Sequence, residues 1–226
     1  MGKISKHIPL EVNLTPIQRV IFDNFSKTPG LKKKFYLTGG TALSAFYLNH
    51  RESEDLDFFS KSNLDILELT SFAQKIAKAA KMKFILTELE NTKIFELVDR
   101  KTVKIKFDFA YYPYRLLKKG LKIDGVTIDS KYDIGVNKLF TINQRKAVKD
   151  FVDLYFLLQE FTFWDLYYGV EAKFGMEVDL VFIAASMFEV SEFNTLPKML
   201  VPLKLEELKS FYKDLAKKVG MRVTEK

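Results

Sequence analysis

The sequence predicts an α+β protein, in which a small mixed sheet flanked by helices (residues 1–129) is followed by a helical bundle (residues 130–226). Strict alternation of apolar and polar residues in TVKIKFDFA (102–110) marks a strand with one buried face. Shorter apolar runs separated by turn residues surround it. From Ser130 onward apolar residues recur with the helical period, so we expect two structurally distinct halves.

The amino-terminal half is predicted to alternate helices with short strands. The three helices in this prediction are Pro9–Phe25, Thr41–Leu48 and Asn63–Ala80, the first with Thr15-Pro16 as its capping signal. The strands are Phe35–Leu37, Leu56–Phe59, Met82–Leu89, Lys93–Val98 and Thr102–Ala110, with a small hairpin at Leu121–Ile128. Ser26–Lys34, which contains Pro29-Gly30 and a lysine run, is predicted to be a loop.

The carboxy-terminal half is predicted to be helical throughout. The proline-containing stretch Asn194–Pro202 separates its last two helices. The predicted helices are Lys131–Ile142, Ala147–Glu160, Phe163–Phe174, Glu177–Phe188 and Leu205–Val219.

Composition excludes several kinds of site. The 226 residues are 47% hydrophobic and 29% charged, which is enough apolar material for a substantial core. The chain has no cysteine and two histidines, so disulfides, zinc–thiolate sites and thiol nucleophiles are excluded. Any metal is therefore expected to be oxygen-ligated, as Mg²⁺ or Mn²⁺ is.

The net charge is +7 with a sequence pI near 9.2, which favours a polyanionic partner such as nucleic acid. The first residues lack the continuous apolar core of a signal peptide, and no apolar run approaches the roughly 20 residues that cross a bilayer. We therefore expect a cytoplasmic protein that does not interact with a membrane.

Three aspartates form a candidate metal site. Asp55 and Asp57 are two apart at a predicted strand, so both side chains are expected on the same face. Asp108 lies on the polar face of the alternating strand, which is predicted to pair beside the first. Carboxylates this close repel each other unless a cation lies between them. The pattern indicates binding of two metal ions and a nucleoside triphosphate, as in nucleotidyl transfer.

Gly39 and Gly40 form a candidate phosphate-binding turn at a strand-to-helix junction. Glycine lets the backbone approach a phosphate, and Thr41 supplies a hydroxyl. A tight turn without function is the alternative for a glycine pair alone. The ordered set of glycine pair, helix, D-x-D and a strand with Asp108 favours the site.

Arg51 and Ser53 lie between the turn and the D-x-D as candidate nucleotide-binding residues. The forked guanidinium of Arg51 suits a phosphate. A surface salt bridge with Glu52 or Glu54 is an equally good interpretation. His50 is predicted to be a loop residue rather than a catalytic base.

A second constellation lies in the helical half. Lys138 is predicted on one helix, Arg145 follows in the break, and Asp150 and Asp153 lie on the first turns of the next helix. Docked over the carboxylates, this helix pair would present Lys138 to a triphosphate. The alternative is an amphipathic helical hairpin with ordinary surface charges.

These pieces together carry a family resemblance. GGTAL (39–43), HRESEDLDFF (50–59) and KDFVDLYFL (149–157) resemble the AbiEii/AbiGii family of nucleotidyltransferase toxins. The later MFEVSEFNTLPKML (187–200) and FYKDLAKK (211–218) are also similar to that family, so the resemblance runs from about residue 36 to the end.

The resemblance implies a polymerase-β-like nucleotidyltransferase fold and a role as the toxin of a type IV toxin–antitoxin or abortive-infection system. It implies NTP as substrate, RNA such as tRNA as acceptor, and a cognate antitoxin protein. It also makes Lys138 the nucleotide-binding lysine and Asp150 or Asp153 the downstream acid, without a choice between them. Arg145 is included among the nucleotide-binding candidates.

Two departures from the family pattern leave other functions open. Gly40 replaces the serine that is usual at the turn, and Lys149 stands where arginine is frequent. One alternative is therefore an NTP-binding protein that does not transfer. Another is a nucleotidyltransferase for a small molecule, in which an acidic pocket would replace a lysine-lined groove.

Overall fold

A computed structural model describes residues 12–100 and 102–224, with side chains up to residue 221. One mixed sheet of seven strands lies at its centre, in the order β3-β4-β5-β2-β1-β7-β6. The strands are β1 Phe35–Thr38, β2 Leu56–Ser60, β3 Lys83–Glu88, β4 Thr92–Asp99, β5 Thr102–Tyr111, β6 Lys122–Ile123 and β7 Val126–Ile128.

Helices flank the sheet and form most of the described carboxy-terminal half, apart from connections such as residues 193–204. Within the described residues, none of them is long and apolar enough to cross a membrane. The α-helices are α1 Pro16–Ser26, α2 Pro29–Lys34, α3 Gly39–Leu43, α4 Ile66–Ala80, α5 Lys131–Thr141, α6 Val148–Leu157, α7 Phe163–Phe174, α8 Leu180–Phe188 and α9 Leu205–Thr224.

The central strand β2 positions the candidate site. It runs antiparallel to β1 and parallel to β5, with Asp57 opposite Thr38 on one side and opposite Asp108 on the other. Its side chains alternate, because Leu56, Phe58 and Ser60 are buried whereas Asp57 and Phe59 keep part of their surface. The two aspartates therefore share the open face of the sheet.

Two apolar clusters stabilise the two halves. The first packs α1 and α4 onto the closed face of the sheet, where the ring of Phe25 stacks on Phe58 at 4.3 Å between centroids. Aromatic pairs of this kind contribute about 0.5–1.5 kcal/mol beyond the area they bury. The second cluster joins α5 to α9 around Phe151 and the fully buried Tyr212. A domain boundary near residue 129 remains our prediction.

The predicted α+β class is confirmed, while several element boundaries differ. Residues 29–34 form α2 rather than a loop, since Pro29 occupies a position where helices tolerate proline. The side chain of Asp65, not Asn63, caps α4. The first helix begins at Pro16, and the predicted start at Pro9 lies outside the described residues.

The glycine turn also differs from the prediction, because the helix begins at Gly39 itself. It continues into a π-helical turn, Ser44–Leu48, which ends at Asn49 in the left-handed conformation. A π-helical turn inserts one extra residue per turn and is frequent at functional sites. Here it brings the following connection, residues 49–55, back over the open face of the sheet.

Candidate active site

A cleft of about 790 Å³ separates the open face of the sheet from the helical half. This volume lies within the range that small-molecule sites occupy. One wall is formed by the glycine turn, the connection after the π-helical turn, β2 and β5, and the opposite wall by α5, the start of α6 and the end of α7. The predicted site residues that line it are Gly39, Gly40, Arg51, Ser53, Asp55, Asp57, Asp108, Lys138, Arg145 and Asp150.

The carboxylates meet as the strand pairing predicts. Asp57 and Asp108 are register partners on the parallel strands β2 and β5, and both face the cleft. Asp55 lies one residue before β2 rather than on it, and it also lines the cleft. The Oδ1 atom of Asp108 is buried without a hydrogen-bond partner.

This arrangement makes the carboxylates hard to ionise. Burial, followed by the charges of Asp57 and Asp55, raises the pKa of Asp108 to about 7. The pKa of Asp57 is raised as well, first by burial and then by Asp55, with Lys138 acting in the opposite direction. A cation between the strands would relieve both effects.

Gly39 is required where it stands. Its φ is +75°, a region that side-chain-bearing residues rarely adopt, and a Cβ at this position would overlap the carboxylate of Asp57. The glycine therefore lets the Asp57 carboxylate lie directly against the backbone of the turn.

The space beside Gly40 is filled by Arg51. A Cβ on residue 40 would overlap Nη2 of Arg51 and would lie 3.1 Å from Oγ of Ser53. Thr41 is buried, and its Oγ1 donates to the carbonyl of Asp55 and lies 2.9 Å from Ser53 Oγ. The expected role of Thr41 therefore does not fit, because its hydroxyl is used within the connection, whereas Ser53 reaches the cleft.

Lys138 is held by both candidate acids of α6. Its Nζ lies 2.6 Å from Oδ1 of Asp150 and 2.6 Å from Oδ2 of Asp153. The Nε atom of Arg145 donates to the other oxygen of Asp150 at 2.8 Å. Although burial opposes it, these acids raise the pKa of Lys138, so the lysine is held in its charged form. Its side chain remains part of the cleft wall.

Asp153 is the centre of a buried network. Arg51 donates to it from Nε at 2.6 Å and from Nη2 at 2.8 Å, and His50 Nε2 lies 2.8 Å away. Burial alone would raise the pKa of Asp153, but Lys138, His50 and Arg51 hold it below its ordinary value. The surface salt bridge considered for Arg51 is wrong, since Arg51 is 3% exposed. His50 lies in the connection, as predicted, and is fully buried.

Backbone hydrogen bonds from residues 198–201 hold the connection after the π-helical turn in place. The amide of Glu52 donates to the carbonyl of Lys198, and the amides of Leu200 and Val201 donate to the carbonyl of His50. Lys198 also lines the cleft and pairs with the Glu52 side chain at 2.5 Å. The positioning of Arg51 thus depends on residues more than a hundred positions away.

Sequence reasoning missed much of the cleft wall. Lys149, which stands where arginine is frequent in the family, is exposed and lies at the rim of the cleft. Half-buried aromatic side chains form one end of it. No local pattern identifies them, because they come from four separate elements. They are Phe59, Tyr112, Tyr114, Phe140 and Phe174.

The structure does not gather the three predicted metal ligands around one ion. Throughout residues 12–100 and 102–224, no three histidine, aspartate or glutamate side chains are arranged to hold one ion together. The donors present are the adjacent pair Asp57 and Asp108, with Asp55 nearby. Magnesium ordinarily takes only one or two protein carboxylates and completes its shell with water and phosphate oxygens.

Comparison with known proteins places the chain in a family. Residues 21–184 match the family described as "Nucleotidyl transferase AbiEii toxin, Type IV TA system". The chain belongs to this family. The AbiEii family match covers β1 to β7 and α5 to α7, and thus both walls of the cleft. It confirms the resemblance and the nucleotidyltransferase class inferred from the sequence.

One curated protein and two solved structures are similar to this AbiEii protein. It is 38% identical over 139 residues to the uncharacterized protein aq_aa25 of Aquifex aeolicus, which is 61% of this chain and 63% of that protein. The crystal structure of JHP933 from Helicobacter pylori is similar with a TM-score of 0.51 and 19% identity, over 92% of this chain and 93% of that one. A second H. pylori structure gives a TM-score of 0.52 at 19% identity, over 92% and 94%. These structures support the fold.

Proposed function

We propose that this chain is a metal-dependent nucleotidyltransferase that moves a nucleoside monophosphate from an NTP to an acceptor hydroxyl. One observation carries the proposal. A single cleft brings a glycine turn, the register pair Asp57 and Asp108, and the buried cation Lys138 within reach of one ligand. Membership of the AbiEii family supports the same reaction.

The carboxylates fit a divalent cation, Mg²⁺ or Mn²⁺. Asp108 has a buried oxygen without a partner, and the pKa values of Asp57 and Asp108 are both raised. Asp55, the third predicted ligand, lines the same cleft but does not form a three-ligand group with this pair. When bound, such a cation neutralises the carboxylates and withdraws charge from the α-phosphate.

The chain's own groups would position the phosphates. At Gly39 and Gly40 no side chain keeps a phosphate away from the backbone. Ser53 adds a hydroxyl to the cleft, and Arg51 and Lys138 add fixed positive charge. Because Asp150 and Asp153 already hold these cations, little reorganisation is needed when a triphosphate binds. Arg145 and Lys149 line the outer part of the cleft.

The reaction joins the acceptor oxygen to the α-phosphorus and breaks the bond from that phosphorus to the oxygen bridging to the β-phosphate. Pyrophosphate leaves, and the hydroxyl proton passes to a cleft carboxylate or to water.

We further propose an RNA acceptor, such as tRNA, and a toxin role with a cognate antitoxin protein. The net charge of +7 and the cations at the cleft rim favour a polyanion. The antitoxin would be a protein that blocks this cleft or its approach.

The test is label transfer from each of the four NTPs to total RNA, with Mg²⁺ or with a chelator. Wild-type protein should label RNA only with the metal, and Asp57→Ala should lose labelling at least a hundredfold while staying folded by circular dichroism. Equal labelling by Asp57→Ala would show that the reaction occurs elsewhere.

Two other functions remain distinguishable in the same assay. The missing hydroxyl at Gly40 favours an NTP-binding protein without transfer, which would give NTP-dependent thermal stabilisation but no labelled product. A small-molecule acceptor would give labelled product in a low-molecular-weight extract and none in RNA.

A further inference from the structure

One end of the cleft is an aromatic wall, made of Phe59, Tyr112, Tyr114, Phe140 and Phe174. The rings contact each other continuously. Phe59 lies 4.6 Å from Tyr112 between centroids, Tyr112 lies 4.9 Å from Tyr114, Tyr114 lies 4.8 Å from Phe174, and Phe174 stacks on Phe140 at 4.2 Å. The first three rings come from the sheet half and the last two from the helical half.

The wall differs from the aromatic core of the same protein. Core rings such as Phe58, Phe107 and Phe109 have no exposed surface, whereas each ring of the wall is only half-buried and faces the cleft. Leaving several large apolar rings partly in water is unfavourable, by roughly 25 cal/mol for each Å² exposed. A contiguous apolar patch of this kind ordinarily marks a binding surface.

Strand geometry places the wall on the far side of the carboxylates from the glycine turn. Phe59 follows Asp57 by two residues on β2, so it lies on the same face about 7 Å further along the strand. Thr38 pairs with Asp57 on the antiparallel strand β1, so Gly39 continues in the opposite direction. The order along the cleft is therefore phosphate turn, carboxylates, aromatic wall.

The edge of the wall is polar. The hydroxyl of Tyr112 donates to Oδ1 of Asn137 at 3.1 Å, and Nζ of Lys173 lies 5.8 Å from the centre of the same ring. Asn137 itself lines the cleft. Flat aromatic surface with an amide at its edge suits a planar ring that carries hydrogen-bonding groups, as a nucleobase does.

We propose that the aromatic wall is a platform on which a nucleobase of the substrate stacks. This inference rests on the proposed function and deepens it. We place the β- and γ-phosphates at the glycine turn and the α-phosphate at the carboxylates. The nucleoside on the other side of the α-phosphate, from the NTP or from the acceptor, then reaches the wall. The stacked base belongs either to the NTP or to the 3′-terminal nucleotide of an RNA acceptor, and both use the same chemistry.

The test measures binding, so it does not need turnover. Titration calorimetry with Mg²⁺ compares wild type with Tyr114→Leu and Tyr114→Phe, using each NTP, inorganic tripolyphosphate, and mixed-sequence RNA oligonucleotides with a normal or an abasic 3′ end. Tyr168→Leu is the matched control, since Tyr168 is a 58% exposed tyrosine outside the cleft lining. Thermal unfolding of every variant accompanies the titrations.

We expect Tyr114→Leu to weaken the binding of one base-containing ligand about tenfold. Tyr114→Phe and Tyr168→Leu should change the affinity for that ligand less than twofold. Tripolyphosphate binding should not change. Weaker NTP binding assigns the base to the transferred nucleotide. Weaker binding of normal RNA with unchanged binding of abasic RNA assigns it to the acceptor.

Two results overturn the platform. In the first, Tyr114→Leu binds NTPs and both RNAs with wild-type affinity. In the second, its affinity for tripolyphosphate falls as much as its affinity for the base-containing ligand, which would mean that the ring only maintains the cleft. The proposed function fails separately, if wild type binds NTPs with this ring dependence but labels no acceptor.

Discussion

Two pairs of aspartates lie in the two halves of the protein, one on the sheet and one on α6, and their electrostatics are opposite. Asp57 and Asp108 on the sheet lie side by side with no ion-pair partner in the part of the chain that the structure describes, and the pKa of each is raised. Asp150 and Asp153 on α6 are fully buried, yet the pKa of each is lowered, because cations of the chain offset the burial that would raise it.

The comparison shows how one residue type serves two purposes. The helical pair has its own counter-charges and holds them at fixed positions on the cleft wall. Among the described residues no cation forms an ion pair with the sheet pair, although the charge of Lys138 lowers the pKa of Asp57, and the pair therefore favours a cation from solution. We expect the helical pair to determine stability and the sheet pair to determine metal-dependent activity.

The largest expected effect is on stability, in Asp153→Ala. This change leaves Arg51 and Lys138 partly unpaired in a buried site, and breaking a buried pair in this way costs about 3–5 kcal/mol. Urea unfolding should show that loss. Asp57→Ala, the matched substitution in the sheet pair, should change the free energy of unfolding by less than about 1 kcal/mol.

The comparison between the two pairs fails if both alanine variants lose the same stability. Asp153→Asn sharpens it, because asparagine keeps hydrogen-bonding atoms in place but not the charge. We expect its stability to fall between wild type and Asp153→Ala.

The next effect concerns the support of the sheet pair, in Gly39→Ala. A Cβ there would displace the Asp57 carboxylate, and the backbone has a φ of +75°. We expect label transfer to fall about a hundredfold. Gly175→Ala is the control, since Gly175 has a φ of +68° with no atom near its would-be Cβ. It should cost about 1 kcal/mol of stability and leave transfer unchanged.

Much of the fold followed from local pattern. Strand β5 was predicted by alternation, and the stacking of helices after Ser130 by periodicity. Helix α2 was missed because its Pro-Gly start and lysine run resemble a loop. The π-helical turn at 44–48 has no sequence pattern that distinguishes it from an α-helix.

The site divides in the same way. Asp57 with Asp108 was predictable, because alternation places Asp108 on the polar face of its strand, although α4, β3 and β4 separate the two strands that pair. The partner of Arg51 was not, since Asp153 lies 102 residues away. The aromatic wall was missed for the same reason, and the high aromatic content of the chain hides its members among core rings.

Gly40→Ser tests whether the helical pair fixes Arg51 firmly. The new side chain would overlap Nη2 of Arg51, which Asp153 holds with two hydrogen bonds. We expect transfer to fall about tenfold, with Gly40→Ala showing the same loss if the Cβ is responsible. Gly40→Ser combined with Arg51→Lys should recover part of it. Unchanged or faster transfer in Gly40→Ser would show that Arg51 moves freely.

The smallest effect is the pH dependence that the sheet pair imposes on stability. The pKa of Asp108 is about 7, whereas an aspartate in an unfolded chain titrates near 4. Between about pH 4 and 7 the folded state holds the extra proton, so the free energy of unfolding falls as pH rises. Asp108→Asn should flatten this slope and be more stable at pH 8 by about 1 kcal/mol, because partial exposure to solvent screens the effect. Adding Mg²⁺ at about 10 mM and pH 8 should stabilise wild type but not Asp108→Asn, because the cation binds only the folded state. Asp99→Asn, at an exposed position at the end of β4, controls for the loss of one charge. An unchanged slope in Asp108→Asn would show that another group titrates in this range and would remove the contrast between the two pairs.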